Sequence, residues 1–253
     1  MAAPKNAKLA RESRDRLRSF NARQAMHERK RNRRRKDNLT WGLVAGAAIL
    51  VAVGSQVGLA ITGGGGSASP SASGLSLPDK SLAQDKTWNA TLGIDGVALT
   101  VELDGAQAPQ AVSSTISLAQ QGFYNSLTCH RLTTDGIFVL QCGDPNGDGS
   151  GGPGYSYGPI ENAPVDNLYP AGTIAMARQG NNAASQGSQF FIVYKDSMIP
   201  SDTAGGYTVI GHITGGLPEL ESTVISQGVA DESTDGHPVA PAVIQYFDIL
   251  PGS

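Results

Sequence analysis

The chain has 253 residues, enough for one or two domains, and a formal net charge of −3 at pH 7. That small charge conceals an asymmetry: residues 1–40 hold 14 Lys and Arg against 4 Asp and Glu, whereas the rest hold 5 against 18. The two parts must therefore be interpreted separately. The basic segment is poor in large apolar residues, which excludes an independent hydrophobic core there.

Two functions are open for the basic segment: nucleic-acid binding, or a basic flank beside a membrane. Residues 41–61 carry no charge and would span roughly 31 Å as a helix, about one bilayer core. We therefore predict a cytoplasmic tail over residues 1–40 and a transmembrane helix over residues 41–62, with the following chain outside the cytoplasm. A cleaved signal peptide is the alternative, but no A-x-A site follows the apolar run. No nucleic-acid binding is expected.

Residues 63–85 are rich in Gly, Ser and Pro, which predicts a flexible tether without a core of its own. A globular, monomeric domain is expected over residues 86–253. It begins with a predicted hairpin, in which strands 87–92 and 97–103 flank the turn dipeptide Asp95-Gly96.

A helix is predicted over residues 109–121. Pro109 suits a first helical position, Val112 and Ile116 recur at helical spacing, and Gly122 can end the helix. Short strands separated by Gly- and Pro-rich loops follow. We predict strands over residues 172–176, 189–193, 207–213 and 243–250, and a second short helix over 217–227. A mostly β domain with two helices favours a closed barrel capped by helices.

Residues 129–144, CHRLTTDGIFVLQCGD, predict a further hairpin. Its half-strands cover residues 129–132 and 137–142 around a turn at 133–136. The hairpin brings donor groups of His130 and Arg131 near Gln141, beside apolar side chains. This combination indicates the floor of a binding groove; ordinary core packing with an exposed edge is the alternative.

Several motifs occur in an order that resembles the cyclophilin peptidyl-prolyl isomerases across nearly all of residues 86–251. They are Ala108-Pro109, GFY at 122–124, CHR at 129–131, FVLQCGD at 138–144, GSGGPGY at 149–155, IAMA at 174–177, GSQFFI at 187–192 and YTVIG at 207–211. The resemblance implies an eight-stranded antiparallel barrel closed by two helices. It also implies cis-trans isomerisation of X-Pro bonds in exported or unfolded polypeptides, without a cofactor.

The resemblance further implies the roles of individual residues. Arg131 matches the catalytic arginine that donates to the prolyl nitrogen, and Gln141 would orient its guanidinium, with His130 beside them. A general-base role for His130 is disfavoured, since no proton need leave the substrate. The expected apolar proline pocket comprises Phe138, Val139 and Phe191, closed by Met198 or Ile199, and the expected groove lining comprises Ala177, Arg178, Gln189 and Tyr207.

The sequence departs from the family pattern at three places. Val139 stands where methionine is common, residues 196–206 differ from the usual loop at the pocket's far wall, and Tyr207 replaces a common histidine. These departures motivate an alternative function, in which a catalytically weak cyclophilin-like module binds Pro-containing peptide segments.

Cys129 and Cys142 are the only cysteines, and they flank His130 and Gln141 symmetrically. If His130 faces Gln141 across the hairpin, the two cysteines also face each other. Because a location outside the cytoplasm permits oxidation, we predict a disulfide, with two buried free thiols as the alternative.

Residues 144–149 mimic the start of a calcium-binding loop, D-x-N-x-D-G. The twelfth position is Tyr155 rather than the required Glu, so no metal is expected.

Overall fold

The computed structural model describes residues 75–83 and 85–252, which belong to a compact unit spanning Ser71–Ser253. The predicted tail, the predicted transmembrane helix and most of the predicted tether lie outside the described residues. Within the described ranges, no helix combines the length and apolar character needed to cross a bilayer.

The described chain contains eleven strands, two α-helices and short 3-10 turns. The strands are β1 Thr87–Ile94, β2 Val97–Asp104, β3 Arg131–Thr133, β4 Val139–Cys142, β5 Leu168–Tyr169, β6 Thr173–Met176, β7 Phe190–Val193, β8 Ser197–Met198, β9 Val209–Gly215, β10 Asp235–Gly236 and β11 Ile244–Pro251. The helices are α1 Pro109–Gln120 and α2 Leu217–Thr223, and the 3-10 turns are Lys80–Leu82, Ile225–Gln227 and Ala230–Glu232.

The two local predictions at the start of the domain are confirmed. Asp95 and Gly96 both adopt positive φ, 51° and 84°, as a two-residue hairpin turn matched to strand twist requires. Helix α1 begins at Pro109, where the missing N–H has no helical acceptor to lose. It buries Val112 and Ile116 in the main core.

Nine strands form one antiparallel sheet in the order β10-β3-β4-β7-β6-β9-β2-β1-β11. The predicted closed eight-stranded barrel is wrong, because this sheet is curled but open. Strand β3 has only three residues, and its outer edge is occupied by β10. The chain segments that precede β3 and β11 are joined by one bridge, between Thr128 and Val243, and by a few backbone hydrogen bonds around it. In the described part of the chain these contacts form no continuous strand ladder between the two ends of the sheet.

The alternation of side chains along the strands gives the sheet two apolar faces. In β7, Phe190 and Ile192 belong to the main core, which also contains the buried side of α1. The intervening Phe191 and Val193 point to a second cluster. This outer cluster comprises Val139, Tyr169, Ala175, Phe191, Val193 and Ile199. It forms the floor on which the candidate site is built.

Candidate active site

A pocket of about 110 Å³ opens on the outer cluster, and we call it the central pocket. Its lining combines an apolar floor with polar groups at the edge. The lining residues are Arg131, Ile137, Val139, Gln141, Ala177, Arg178, Phe191, Ile199 and Tyr207. Eight of these nine residues were predicted from the sequence as candidate site residues; the exception is Ile137.

The pairing of β3 with β4 determines which side chains reach this pocket. Arg131 lies opposite Gln141, so the condition considered from the sequence, that His130 faces Gln141, is not met, by one residue. Because successive side chains point to opposite faces, this shift places Arg131 and Gln141 together and turns His130 away. Nη1 of Arg131 donates to Oε1 of Gln141 over 3.3 Å.

A series of hydrogen bonds continues from Gln141 to residues 144–155, which we call the Gly-rich loop. Nε2 of Gln141 donates to Oε1 of Gln189 over 2.9 Å, and Nε2 of Gln189 donates to the carbonyls of Gly149 and Gly151. Each amide is thus both donor and acceptor, which fixes its orientation. These hydrogen bonds connect the side of the pocket that carries the Arg131 guanidinium to the Gly-rich loop.

Asp235 of β10 is a site residue that the sequence did not predict. Its carboxylate accepts from Nε of Arg131 at 2.7 Å and from Nη2 at 2.9 Å. This hydrogen bonding raises the pKa of Arg131 above its usual value. Asp235 lies 104 residues from Arg131 in the chain, and its local sequence indicates only a turn. No local signal could have identified it.

His130 is 7% exposed and does not line the central pocket. It lines a second cleft of about 240 Å³, the His cleft, together with Arg131, Gln141, Asp148, Gly149, Asp235, Gly236 and His237. Burial lowers the pKa of His130. Neither ring nitrogen has a hydrogen-bond partner among the described residues. A buried imidazole that faces the His cleft rather than the central pocket does not fit the catalytic position predicted for it.

Phe138 was predicted in the proline pocket, but the structure places Ile137 there instead. Val139 and Gln141 of β4 face the pocket, so Phe138 projects to the other side. Its ring contacts that of Tyr194, with centroids 5.9 Å apart, and lies 4.4 Å from Nζ of Lys195. Phe138 therefore supports the hairpin from behind.

The two alternatives for the far wall are resolved in favour of Ile199. Ile199 is 6% exposed and lines the central pocket. Met198 is 57% exposed and lies outside it, because β8 pairs with β5 and presents Met198 outward. The sequence contained both residues but no indication of which one faced inward.

Arg178 was predicted to line the groove and bind the substrate backbone; it does line the central pocket, but its guanidinium is bound within the protein. Its side chain is 1% exposed. All five N–H groups of its guanidinium donate hydrogen bonds, two to the carboxylate of Asp202 and three to the carbonyls of Gln179, Gly205 and Gly206. These contacts hold the pKa of the Asp202 carboxyl well below its usual range. Arg178 therefore fixes the wall of the pocket.

The Gly-rich loop borders a third cleft of about 260 Å³, the Gly cleft, which shares Gln141, Ala177 and Arg178 with the central pocket and also contains Gln189. Asp144 organises the loop by accepting from the backbone N–H groups of Asn146, Asp148, Gly149 and Gly151. The carboxylate oxygens of Asp144 therefore accept hydrogen bonds from the backbone of the loop. No group of three or more metal-binding side chains occurs among residues 75–83 and 85–252.

Cys129 and Cys142 are joined by a disulfide, with the sulfur atoms 1.99 Å apart and the Cα atoms 3.9 Å apart. Both residues are buried. The bond links the residue before His130 to the residue after Gln141, although the register places the two cysteines diagonally. It therefore ties together the two strands that carry the polar edge of the central pocket.

An open, curled antiparallel sheet, with an apolar pocket edged by a hydrogen-bonded arginine and glutamine, defines the class of this protein. Over residues 90–247 the sequence matches the family described as cyclophilin type peptidyl-prolyl cis-trans isomerase/CLD, and the chain belongs to this family.

Curated relatives include "Probable peptidyl-prolyl cis-trans isomerase B" of Mycobacterium tuberculosis, 46% identical over 152 residues that cover 54% of this chain and 46% of the relative. The Mycobacterium leprae protein of the same name is 40% identical over 171 residues, covering 63% and 56%. The chain thus spans about half the length of these relatives.

Among solved structures, a Cryptosporidium parvum cyclophilin type peptidyl-prolyl cis-trans isomerase is similar, with a TM-score of 0.53 and 27% identity. The match covers 66% of this chain and 98% of that chain. A second crystal structure of that protein was determined in the presence of the dipeptide Ala-Pro.

Proposed function

We propose that the protein is a peptidyl-prolyl cis-trans isomerase that accelerates the folding of exported, Pro-containing polypeptides. One observation carries this proposal: the guanidinium of Arg131 is fixed at the edge of an apolar pocket floored by Val139 and Phe191. Such a pocket fits a proline ring. The Ala-Pro dipeptide present with the Cryptosporidium parvum protein supports the same substrate class.

The chemistry requires rotation about an amide bond with a barrier of about 18–20 kcal/mol, which unaided takes roughly 10–100 s. A turnover of about 10³ per second would correspond to about five decades, or about 7 kcal/mol. No covalent step is needed. A donor aimed at the prolyl nitrogen weakens amide resonance, so the twisted state is bound better than either planar isomer.

Arg131 can be this donor. Three of its five N–H groups are used by Asp235 and Gln141 in the described part of the chain, which leaves two for the peptide. Its charge is permanent, so the donor is present at every physiological pH. Val139, Phe191 and Ile199 hold the proline ring, and the Gly cleft accommodates the preceding or following peptide residues.

The activity is tested by comparing the full 253-residue chain with Arg131→Ala in a peptide isomerisation assay. We expect turnover to fall by about 100-fold, as for loss of one preorganised donor. Lys195→Ala is the matched control, because it removes a nearby cation that packs on Phe138 outside the pocket. An unaltered chain that gives no acceleration would refute the proposed function.

We place this activity at the outer face of the cytoplasmic membrane, with residues 41–62 as the anchor and 1–40 inside. The predicted tether 63–85 is too long at its C-terminal end, because Lys80–Leu82 forms a 3-10 turn and Ala83 is buried in the main core, so only the part before this turn can act as a tether. The uneven charge and the uncharged apolar run support this arrangement. In cells that produce the full chain, protein should fractionate with membranes, and added protease should degrade the isomerase domain without lysis. Recovery in the soluble fraction, or protection from the protease, would contradict the topology.

The alternative is a catalytically weak module that holds Pro-containing segments. It is favoured by the commitment of Arg131 to Asp235, since the carboxylate offsets part of the positive charge at the pocket. Negligible turnover by the full chain, combined with peptide affinity unaffected by Arg131→Ala, would identify this second function.

A further inference from the structure

Residues 228–239 form a short hairpin that is held together by its own backbone hydrogen bonds. The N–H of Val239 donates to the carbonyl of Gly228 at 2.9 Å, and the N–H of Ala230 donates to that of His237 at 2.7 Å. Val229 is 7% exposed and belongs to the main core. Asp235 is therefore carried by a segment with a defined conformation, which we call the 228–239 hairpin.

This hairpin is attached to the strand that carries Arg131. Asp235 lies opposite Thr133, Gly236 lies opposite Leu132, and the N–H of Thr134 donates to the carbonyl of Thr234. Arg131 and Thr133 are two residues apart and share one face of β3. The carboxylate of Asp235 is thus a diagonal cross-strand neighbour of the guanidinium, a separation that long side chains can bridge.

The contact between Asp235 and Arg131 is bidentate. One carboxylate oxygen accepts from Nε at 2.7 Å and the other accepts from Nη2 at 2.9 Å. The two side chains are 38% and 55% exposed, and ion pairs so exposed contribute little to folding. Two parallel hydrogen bonds nevertheless fix the plane and the direction of the guanidinium.

We propose that Asp235 is a positioning residue for Arg131, and that the 228–239 hairpin exists in this site to supply it. This inference rests on the proposed isomerase function. Asp235 occupies the Nε side of the guanidinium, which leaves the Nη1 side for Gln141 and the central pocket. Asp235 lines the His cleft rather than the central pocket, so it acts on the substrate only through Arg131.

The consequence is a separation between turnover and peptide binding. Without Asp235, the guanidinium keeps its charge but can adopt several rotamers, so the donor is less often aimed at the prolyl nitrogen. The apolar floor of the pocket is untouched, so the affinity for the ground-state peptide should stay the same. A purely structural role would instead change stability and affinity together.

The test uses Asp235→Asn and Asp235→Glu in the full chain, with Asp248→Asn as the matched control. Asp248 is an exposed carboxylate of β11, at the opposite end of the sheet. We expect Asp235→Asn to lower kcat by at least about tenfold, with peptide Kd within about twofold and an unchanged Tm. Asp235→Glu, which keeps the carboxylate, should recover part of the loss. Equal kcat in Asp235→Asn and the control would overturn the proposal, as would a parallel loss of Tm.

A double variant tests whether Asp235 acts through Arg131. In an Arg131→Ala background, Asp235→Asn should cause no further loss of kcat, because the residue it positions is gone. A second independent loss would overturn the positioning role.

A measurement without substrate separates this inference from the proposed function. In an NMR spectrum of the full chain, the Nε–H signal of Arg131 should exchange slowly with water and become fast-exchanging in Asp235→Asn. An inactive chain that shows this dependence refutes the isomerase function but supports positioning. An active chain in which neither kcat nor the signal depends on Asp235 refutes positioning alone.

Discussion

The guanidinium of Arg178 lies over the ring of Tyr207, with its central carbon 4.7 Å from the ring centroid. Both carboxylate oxygens of Asp202 accept from the same guanidinium at 2.9 Å. Stacking and ion pairing together hold the segment before Tyr207 against the central pocket. This is how the chain builds the far wall from a loop that departs from the common pattern of the family.

We predict that Asp202→Asn destabilises the fold at neutral pH and that the effect shrinks in acid. Arg178 holds the pKa of Asp202 below its usual value near 3.8, so the unfolded chain takes up the proton first as pH falls. The stabilisation is complete above about pH 5 and is lost progressively below about pH 4. Urea unfolding at pH 7 and pH 3 should show the difference from the unaltered chain shrinking. A constant difference, or the same behaviour in Asp248→Asn, would contradict this assignment.

Ile199→Ala should weaken peptide binding and destabilise the protein by about 2–5 kcal/mol, because it removes buried atoms from the pocket wall. Met198→Ala is the matched control, since this neighbouring side chain is 57% exposed. Ile199→Val offers a milder change of about 0.5–1.5 kcal/mol if the first variant does not fold. Peptide titration and urea unfolding measure both effects. Equal effects at positions 198 and 199 would show that the wall is assigned to the wrong residue.

Reduction of the Cys129–Cys142 disulfide should cost about 3 kcal/mol, given the 13-residue separation of the cysteines. The measurement is urea unfolding with and without reductant, and the Cys129→Ser/Cys142→Ser double variant should be insensitive to reductant. Mass spectrometry provides a direct check. Alkylation of two thiols in the native, unreduced chain would disprove the bond.

His130→Gln should leave turnover unchanged, and turnover should be flat between about pH 6 and pH 8, because rotation about the amide bond transfers no proton. Stability should nevertheless depend on pH. Burial lowers the pKa of His130, so the unfolded chain binds more protons, and stability falls as pH drops below about 6.5. Unfolding curves between pH 7 and pH 5 should show a smaller decline for His130→Gln. A turnover that follows a single ionisation near neutrality, and loses it in this variant, would restore a catalytic role for His130.

The sequence by itself determined the features that depend on neighbours in the chain. Asp95-Gly96 specifies its turn through positive φ, and Pro109 specifies a helix start, whatever the rest of the chain does. Alternation along β7 assigns Phe191 to a different face from Phe190. Arg131 and Gln141 meet because a single hairpin carries both.

The tertiary structure alone decided which side chains complete the site. A shift of one residue in register exchanged His130 for Arg131 opposite Gln141, and only the packing of the whole sheet sets that register. Asp235 reaches Arg131 across 104 residues because β10 pairs with β3. Contacts between distant segments depend on how all the strands pack together, and no local pattern in the sequence encodes that arrangement.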